Sequence, residues 1–103
     1  AGSSAASDVY KRQVLPFNNV LIEPSNPYQN EPIIRYALDF NEDSSNINCF
    51  ISDFQGSFNP TITNLNNKLL VELNRLPVKG RLRFNCTKVN NGIFWFGYQY
   101  LVN

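Results

Sequence analysis

From Val14 onward the chain reads as short apolar runs broken by turn residues. Val14-Leu15 and Val20-Leu21-Ile22 lie on either side of Pro16. Residues 33–40 follow Pro32 and stop at the polar stretch 41–46. Residues 47–54 end before Gly56. Thr61-Ile62-Thr63 is followed by the Asn-rich stretch 64–67, and residues 69–73 by Leu76-Pro77 and Gly80. Residues 81–89 and 93–102 close the series, separated by Asn90-Asn91-Gly92. No stretch carries a 3.6-residue apolar period, and Pro and Asn recur too often for a long helix. Six or seven short runs, spaced roughly 8–14 residues apart, predict antiparallel strands in a sandwich or a barrel. Asn91-Gly92 adopts the positive φ of a tight turn, so the last two runs are expected to form a hairpin. Leu76-Pro77 and Gly80 resemble the corner where a sandwich passes from one sheet to the other. The expected fold is therefore all-β: an immunoglobulin-like or fibronectin-like antiparallel β-sandwich of about seven strands, with a small barrel as the alternative.

Alternation within the runs separates two faces. Leu82, Phe84 and Cys86 share one side of their strand, and Arg81, Arg83 and Asn85 share the other. Ile47, Cys49 and Ile51 oppose Asn48, Phe50 and Ser52. Both cysteines fall in the apolar sets, on strands that would be neighbours. A Cys49–Cys86 disulfide follows for a small secreted-type domain, against the alternative of two buried thiols. The last run is apolar on both sides. Phe94, Phe96, Tyr98 and Tyr100 make the longer stripe and are expected inside. Trp95 and Gln99 then lie outside, beside Arg81, Arg83 and Asn85, and Asn48 and Phe50 join them if their strand is adjacent. A bulge at Gly97 would instead turn Tyr98 and Tyr100 outward.

Composition narrows the function. The 103 residues are 43% hydrophobic and 14% aromatic, enough for one core. Charged residues are only 17%, and the net charge is +1, so a nucleic-acid binder is not expected. The longest apolar run is ten residues, too short for a membrane helix. The absence of histidine removes the usual acid–base and metal chemistry, so neither an enzyme nor a cofactor is expected. Asp39, Asp43 and Asp53 are the one carboxylate cluster an enzymatic reading could use. Asp39-Phe40-Asn41-Glu42-Asp43 has calcium-loop spacing at Asp39, Asn41 and Asp43, but Ser44 stands where glycine is required and Phe50 where the closing glutamate belongs. Asn85-Cys86-Thr87 matches a glycosylation sequon inside a strand. Residues 1–13 read as a tag remnant (Ala1-Gly2-Ser3) and a disordered tail, so 14–103 is expected to be a single domain excised from a longer protein.

A sheet face with Trp95, Phe50, Arg81, Arg83, Asn85, Asn48 and Gln99 has the chemistry of a saccharide platform. Aromatic planes pack on the apolar faces of sugar rings, while amide and guanidinium groups reach their hydroxyls. The same residue types mark contacts with a neighbouring protein domain. Residues 76–100, with Gly80-Arg81-Leu82-Arg83-Phe84-Asn85-Cys86-Thr87 and Trp95-Phe96-Gly97-Tyr98-Gln99, resemble a small β-sandwich module attached to bacterial polysaccharide deacetylases of the NodB-homology type. The metal-binding residues of that family belong to a separate domain and have no counterpart here. The resemblance implies an accessory module of a secreted carbohydrate-active protein, extracellular or at the cell surface, and does not imply deacetylation by this chain; a monomer is expected. Its partner would be a polysaccharide or a neighbouring domain of the parent protein. The alternative is a structural spacer or adhesion module whose aromatic face packs on another protein domain.

Overall fold

The computed structural model describes residues 20–89 and 93–103, excluding the side chains of Val89 and of residues 93–96. The expected tail, the run at Val14-Leu15 and the Asn91-Gly92 turn lie outside the described residues. Among the described residues there are eight strands: β1 Leu21–Pro24, β2 Arg35–Asp39, β3 Ile47–Asp53, β4 Gly56–Ser57, β5 Thr61–Leu65, β6 Lys68–Glu72, β7 Gly80–Val89 and β8 Ile93–Val102. They form two four-stranded sheets, β1-β2-β6-β5 and β4-β3-β7-β8, and every strand pair is antiparallel. The chain changes sheet between β2 and β3, between β4 and β5, and between β6 and β7. The last of these crossings uses the Leu76-Pro77 corner. This is the immunoglobulin-like arrangement of four strands against three, with β4 added as a fourth strand at the edge of the second sheet. The expected fold class holds, and the strand count rises from about seven to eight. The extra strand is β4, where Gly-Ser carries no apolar alternation to read.

The alternating sets become the two inner faces. Ile22, Tyr36, Leu38, Leu69 and Val71 from the first sheet meet Ile47, Ile51, Leu82, Phe84, Cys86 and Tyr98 from the second. Tyr36 bridges the layers, edge to face with Phe84 at 6.2 Å between ring centroids and with Tyr100 at 5.3 Å. Tyr100 and Val102 pack on this core and Leu101 points out, so the described end of β8 has the expected inside. The β7–β8 register runs unbroken through Asn85↔Gly97 to Gly80↔Val102. The alternative bulge at Gly97 is therefore not formed, and Tyr98 and Tyr100 keep their inward parity.

At one end of the sandwich, Asn66 takes φ 55 in the two-residue β5–β6 turn, a conformation asparagine tolerates better than most residues. Ser44 is fully buried beneath that turn. Its hydroxyl donates to the Asn66 carbonyl at 2.8 Å and the Lys68 carbonyl at 3.2 Å, its amide donates to Asn66 at 2.8 Å, and Asn64 Nδ2 donates to its carbonyl at 2.7 Å. One small side chain thus ties the β2–β3 loop to the β5–β6 hairpin.

Two stability measurements check this packing. Ser44→Ala removes the hydroxyl bonds to the Asn66 and Lys68 carbonyls and keeps the amide bond to Asn66, so urea unfolding is expected to show a loss of about 0.5–1.5 kcal/mol. The Tyr36 phenol is pushed up to about 12 by burial, and next by the nearby Tyr100. Burial also raises Tyr98 and Tyr100. A raised phenol favours the neutral form in the folded state. Its contribution is complete below the ordinary tyrosine value near 10 and is lost as pH rises from about 10 towards 12. Unfolding free energy should fall over that interval, less steeply in Tyr36→Phe.

Candidate functional site

The outward parity of the second sheet gathers the expected residues on one surface. Register sets them in rows across β3, β7 and β8: Ser52, Arg83 and Gln99; Phe50, Asn85 and Gly97; Asn48, Thr87 and Trp95. Arg81 extends the surface beside Leu101. Asn48, Arg81 and Arg83 are exposed, while Asn85 and Gln99 are half-buried. Phe50 is 60% exposed, an unusual position for a phenylalanine inside a strand. Leu101, 54% exposed, adds an apolar neighbour that the residue-type argument had left out of the site. Trp95 is placed by register opposite Thr87, and its side chain lies outside the described residues.

The disulfide holds this register. Cys49 and Cys86 are directly opposite on β3 and β7 and are bonded, at a sequence separation of 37. Cys86 is buried and Cys49 partly so, in the inward sets expected for both. The row immediately next to the bridge on β3 and β7 is Phe50 and Asn85. Closing a loop of this length stabilises by about 3–4 kcal/mol in the loop-entropy treatment.

A second device mounts the β3 end of the surface. The Asp53 carboxylate, completely shielded from solvent, accepts from Arg75 Nη1 at 2.9 Å and Nη2 at 2.8 Å. It also accepts from the amides of Val78 and Gln55, each at 2.9 Å. Arg75 in turn donates to the Gly56 carbonyl at 3.1 Å and lies 3.9 Å over the Phe58 ring. One carboxylate therefore joins the end of β3, the β4 turn and the corner that launches β7. Two residues later Gly80 takes φ 114, and a Cβ there would meet Phe54 at 2.9 Å, so β7 starts at a position only glycine fits. Nothing in the sequence distinguished Asp53 and Arg75 from surface charges, because their pairing is across 22 residues and a change of sheet.

The other candidates are placed as follows. The Asp39 carboxylate accepts from the Asn41 amide at 2.9 Å, and Asp43 accepts from the Ser45 amide and hydroxyl, each at 3.0 Å. Asp39, Asn41 and Asp43 thus belong to a loop folded on its own backbone, with Asn41 at φ 56. Among the described residues, no three His, Cys, Asp or Glu side chains gather as a metal site. Asp53 is engaged by Arg75 rather than grouped with Asp39 and Asp43. The sequon residue Asn85 sits mid-sheet beside the half-cystine Cys86.

The outer surface carries several uncommitted polar groups close together. Arg35 pairs with Glu31 and Glu72, Arg75 with Asp53, and Lys88 with Glu42. Among the described residues, no side-chain hydrogen bond or ion pair involves Arg81, Arg83, Asn48, Asn85 or Gln99. Their donors and acceptors face solvent around an exposed aromatic ring. Comparison of the chain with family models, with curated proteins and with solved structures returns no match.

The mounting role of Asp53 has a pH signature. Hydrogen bonds from Arg75, and then from the Val78 and Gln55 amides, hold this carboxyl well below the usual carboxylate range. A lowered carboxyl contributes stability above its ordinary value near 3.8, and that contribution is lost as pH falls below it. Asp53→Asn should therefore be less stable than the wild type at pH 7, measured by urea unfolding. The gap should narrow as the pH is lowered through the acid range.

Proposed function

We propose that this chain is a non-catalytic carbohydrate-binding or accessory module of a secreted bacterial polysaccharide-processing protein, and that the outer face of the β4-β3-β7-β8 sheet is its binding surface. The observation that carries the reading is the exposed Phe50 ring, 60% accessible, set on an outer sheet face among amide and guanidinium groups that have no partner within the described residues. A sugar ring offers what that surface lacks: apolar C–H groups for the aromatic plane, and hydroxyls that both donate and accept. Phe50 and Trp95 are assigned to stacking. Arg81, Arg83, Asn85, Gln99 and Asn48 are assigned to the hydroxyls. The disulfide is compatible with the extracellular location that this reading requires.

The competing reading, a spacer or adhesion module whose aromatic face packs on another protein domain, uses the same exposed Phe50 and Leu101. Affinity electrophoresis against soluble polysaccharides separates the two. A glycan module is expected to be retarded by at least one polysaccharide class, with retardation reduced about tenfold or more in Phe50→Ala, whose exposed site makes the substitution nearly neutral for folding. Absence of retardation across neutral and acidic polysaccharides, together with concentration-dependent self-association in sedimentation, would sink the glycan reading in favour of the spacer.

A further inference from the structure

The charges of the second sheet are distributed unevenly. Strands β4, β7 and β8 contain no Asp or Glu, and β3 contains only Asp53. That carboxylate is shielded from solvent and bonded to Arg75. The sheet's cations are Arg81, Arg83 and Lys88, and Lys88 pairs with Glu42 at 2.9 Å. Arg81 and Arg83 remain, exposed and without an ion pair among the described residues, with exposed Lys79 immediately before the strand. They occupy alternate positions of one strand, so their backbone attachment points lie about 6.7 Å apart on the same face. The overall charge of +1 conceals this asymmetry, since the carboxylates lie elsewhere.

From this placement we infer that the face takes an acidic polysaccharide, one whose sugar rings carry uronate carboxylates, with Arg81 and Arg83 as the carboxylate-binding residues. The inference rests on the glycan reading above and narrows it. A planar guanidinium matches a carboxylate through two parallel hydrogen bonds, which a neutral hydroxyl cannot reproduce. Two adjacent cations with no local counter-charge repel each other, and a polymer with regularly spaced anions relieves that repulsion at both positions. Phe50 lies one row from Arg83, with Ser52 opposite Arg83 and Asn85 opposite Phe50. A single chain running across these rows would meet an aromatic plane, an amide and a guanidinium in turn. A neutral glycan would use the first two and offer the arginines only hydroxyls, which leave their charge without a counter-charge.

Polygalacturonate and its fully methyl-esterified form test this directly, because they share one sugar backbone and differ in charge. Affinity electrophoresis and calorimetric titration are run on the wild type, Arg81→Gln, Arg83→Gln, the double variant and Phe50→Ala. Thermal unfolding confirms that each variant is folded. Polygalacturonate is expected to bind, and the methyl ester to bind at least tenfold more weakly. Each arginine substitution should weaken polygalacturonate binding about tenfold and methyl-ester binding by no more than about threefold, the loss of a hydroxyl contact alone. Raising the salt to about 0.5 M should weaken the acidic polymer selectively. Equal binding of both polymers, insensitive to the arginine variants, would overturn the acidic specificity and leave the glycan reading standing. Failure of either polymer and of a neutral glycan panel to bind would remove the glycan reading and this inference with it. Binding of a single-stranded DNA of similar charge as tightly as polygalacturonate, unaffected by Phe50→Ala, would overturn the assignment to a sugar polymer.

Discussion

The covalent bridge between Cys49 and Cys86 sets the frame for everything on the second sheet. Side chains alternate with a period of two, so a slip of one residue between β3 and β7 would send Phe50 into the core and Ile51 into solvent. The hydrophobic pattern already opposes that slip. The bridge makes it impossible while the bond lasts, because the two cysteines must remain opposite one another. Phe50 and Asn85, Ser52 and Arg83, and Asn48 and Thr87 are neighbours for this reason. The β7–β8 ladder extends the same register to Gly97, Gln99 and Leu101 without interruption.

The two ends of the sandwich are closed by different chemistry. At one end, buried Ser44 satisfies the carbonyls of the β5–β6 hairpin using neutral hydrogen bonds. At the other, Asp53 collects a guanidinium and two amides, and the cation spreads over Phe58. A carboxylate removed from water is costly unless its oxygens are fully engaged. Here four donors engage them: three, from Arg75 and Val78, come from the corner that must be fixed for β7 to begin at Gly80, and the Gln55 amide comes from the β3–β4 turn. The outer face therefore inherits its starting point from residues that do not lie on it.

The all-β class, most strand positions, the pairing of the cysteines and the inward set of β7 were legible in the sequence because each depends on local alternation. Leu82, Phe84 and Cys86 could face only a core, and Arg81 and Arg83 only solvent. β4 was not legible, since two small residues carry no alternation and pair only because β3 has a free edge there. Asp53 and Arg75 were not legible either: their bond joins segments that no local rule brings together. The candidate face was readable as a list of residues, from the parity of three strands. Its rows, and the lack of partners for its arginines and amides among the described residues, required the register and the positions of the described carboxylates.

β7 divides its labour residue by residue: one parity packs the core, and the other carries the chemistry of the face. The arginines and the amide of the outer set make no contribution to core packing, so replacing them leaves the inner set undisturbed. Such a strand lets recognition diverge while the scaffold stays constant. Selection can exchange guanidinium for hydroxyl or aromatic groups at 81, 83 and 85 in few steps, without first accumulating surplus stability. Lineages descending from one such framework would then differ in what they grip long before they differ in shape.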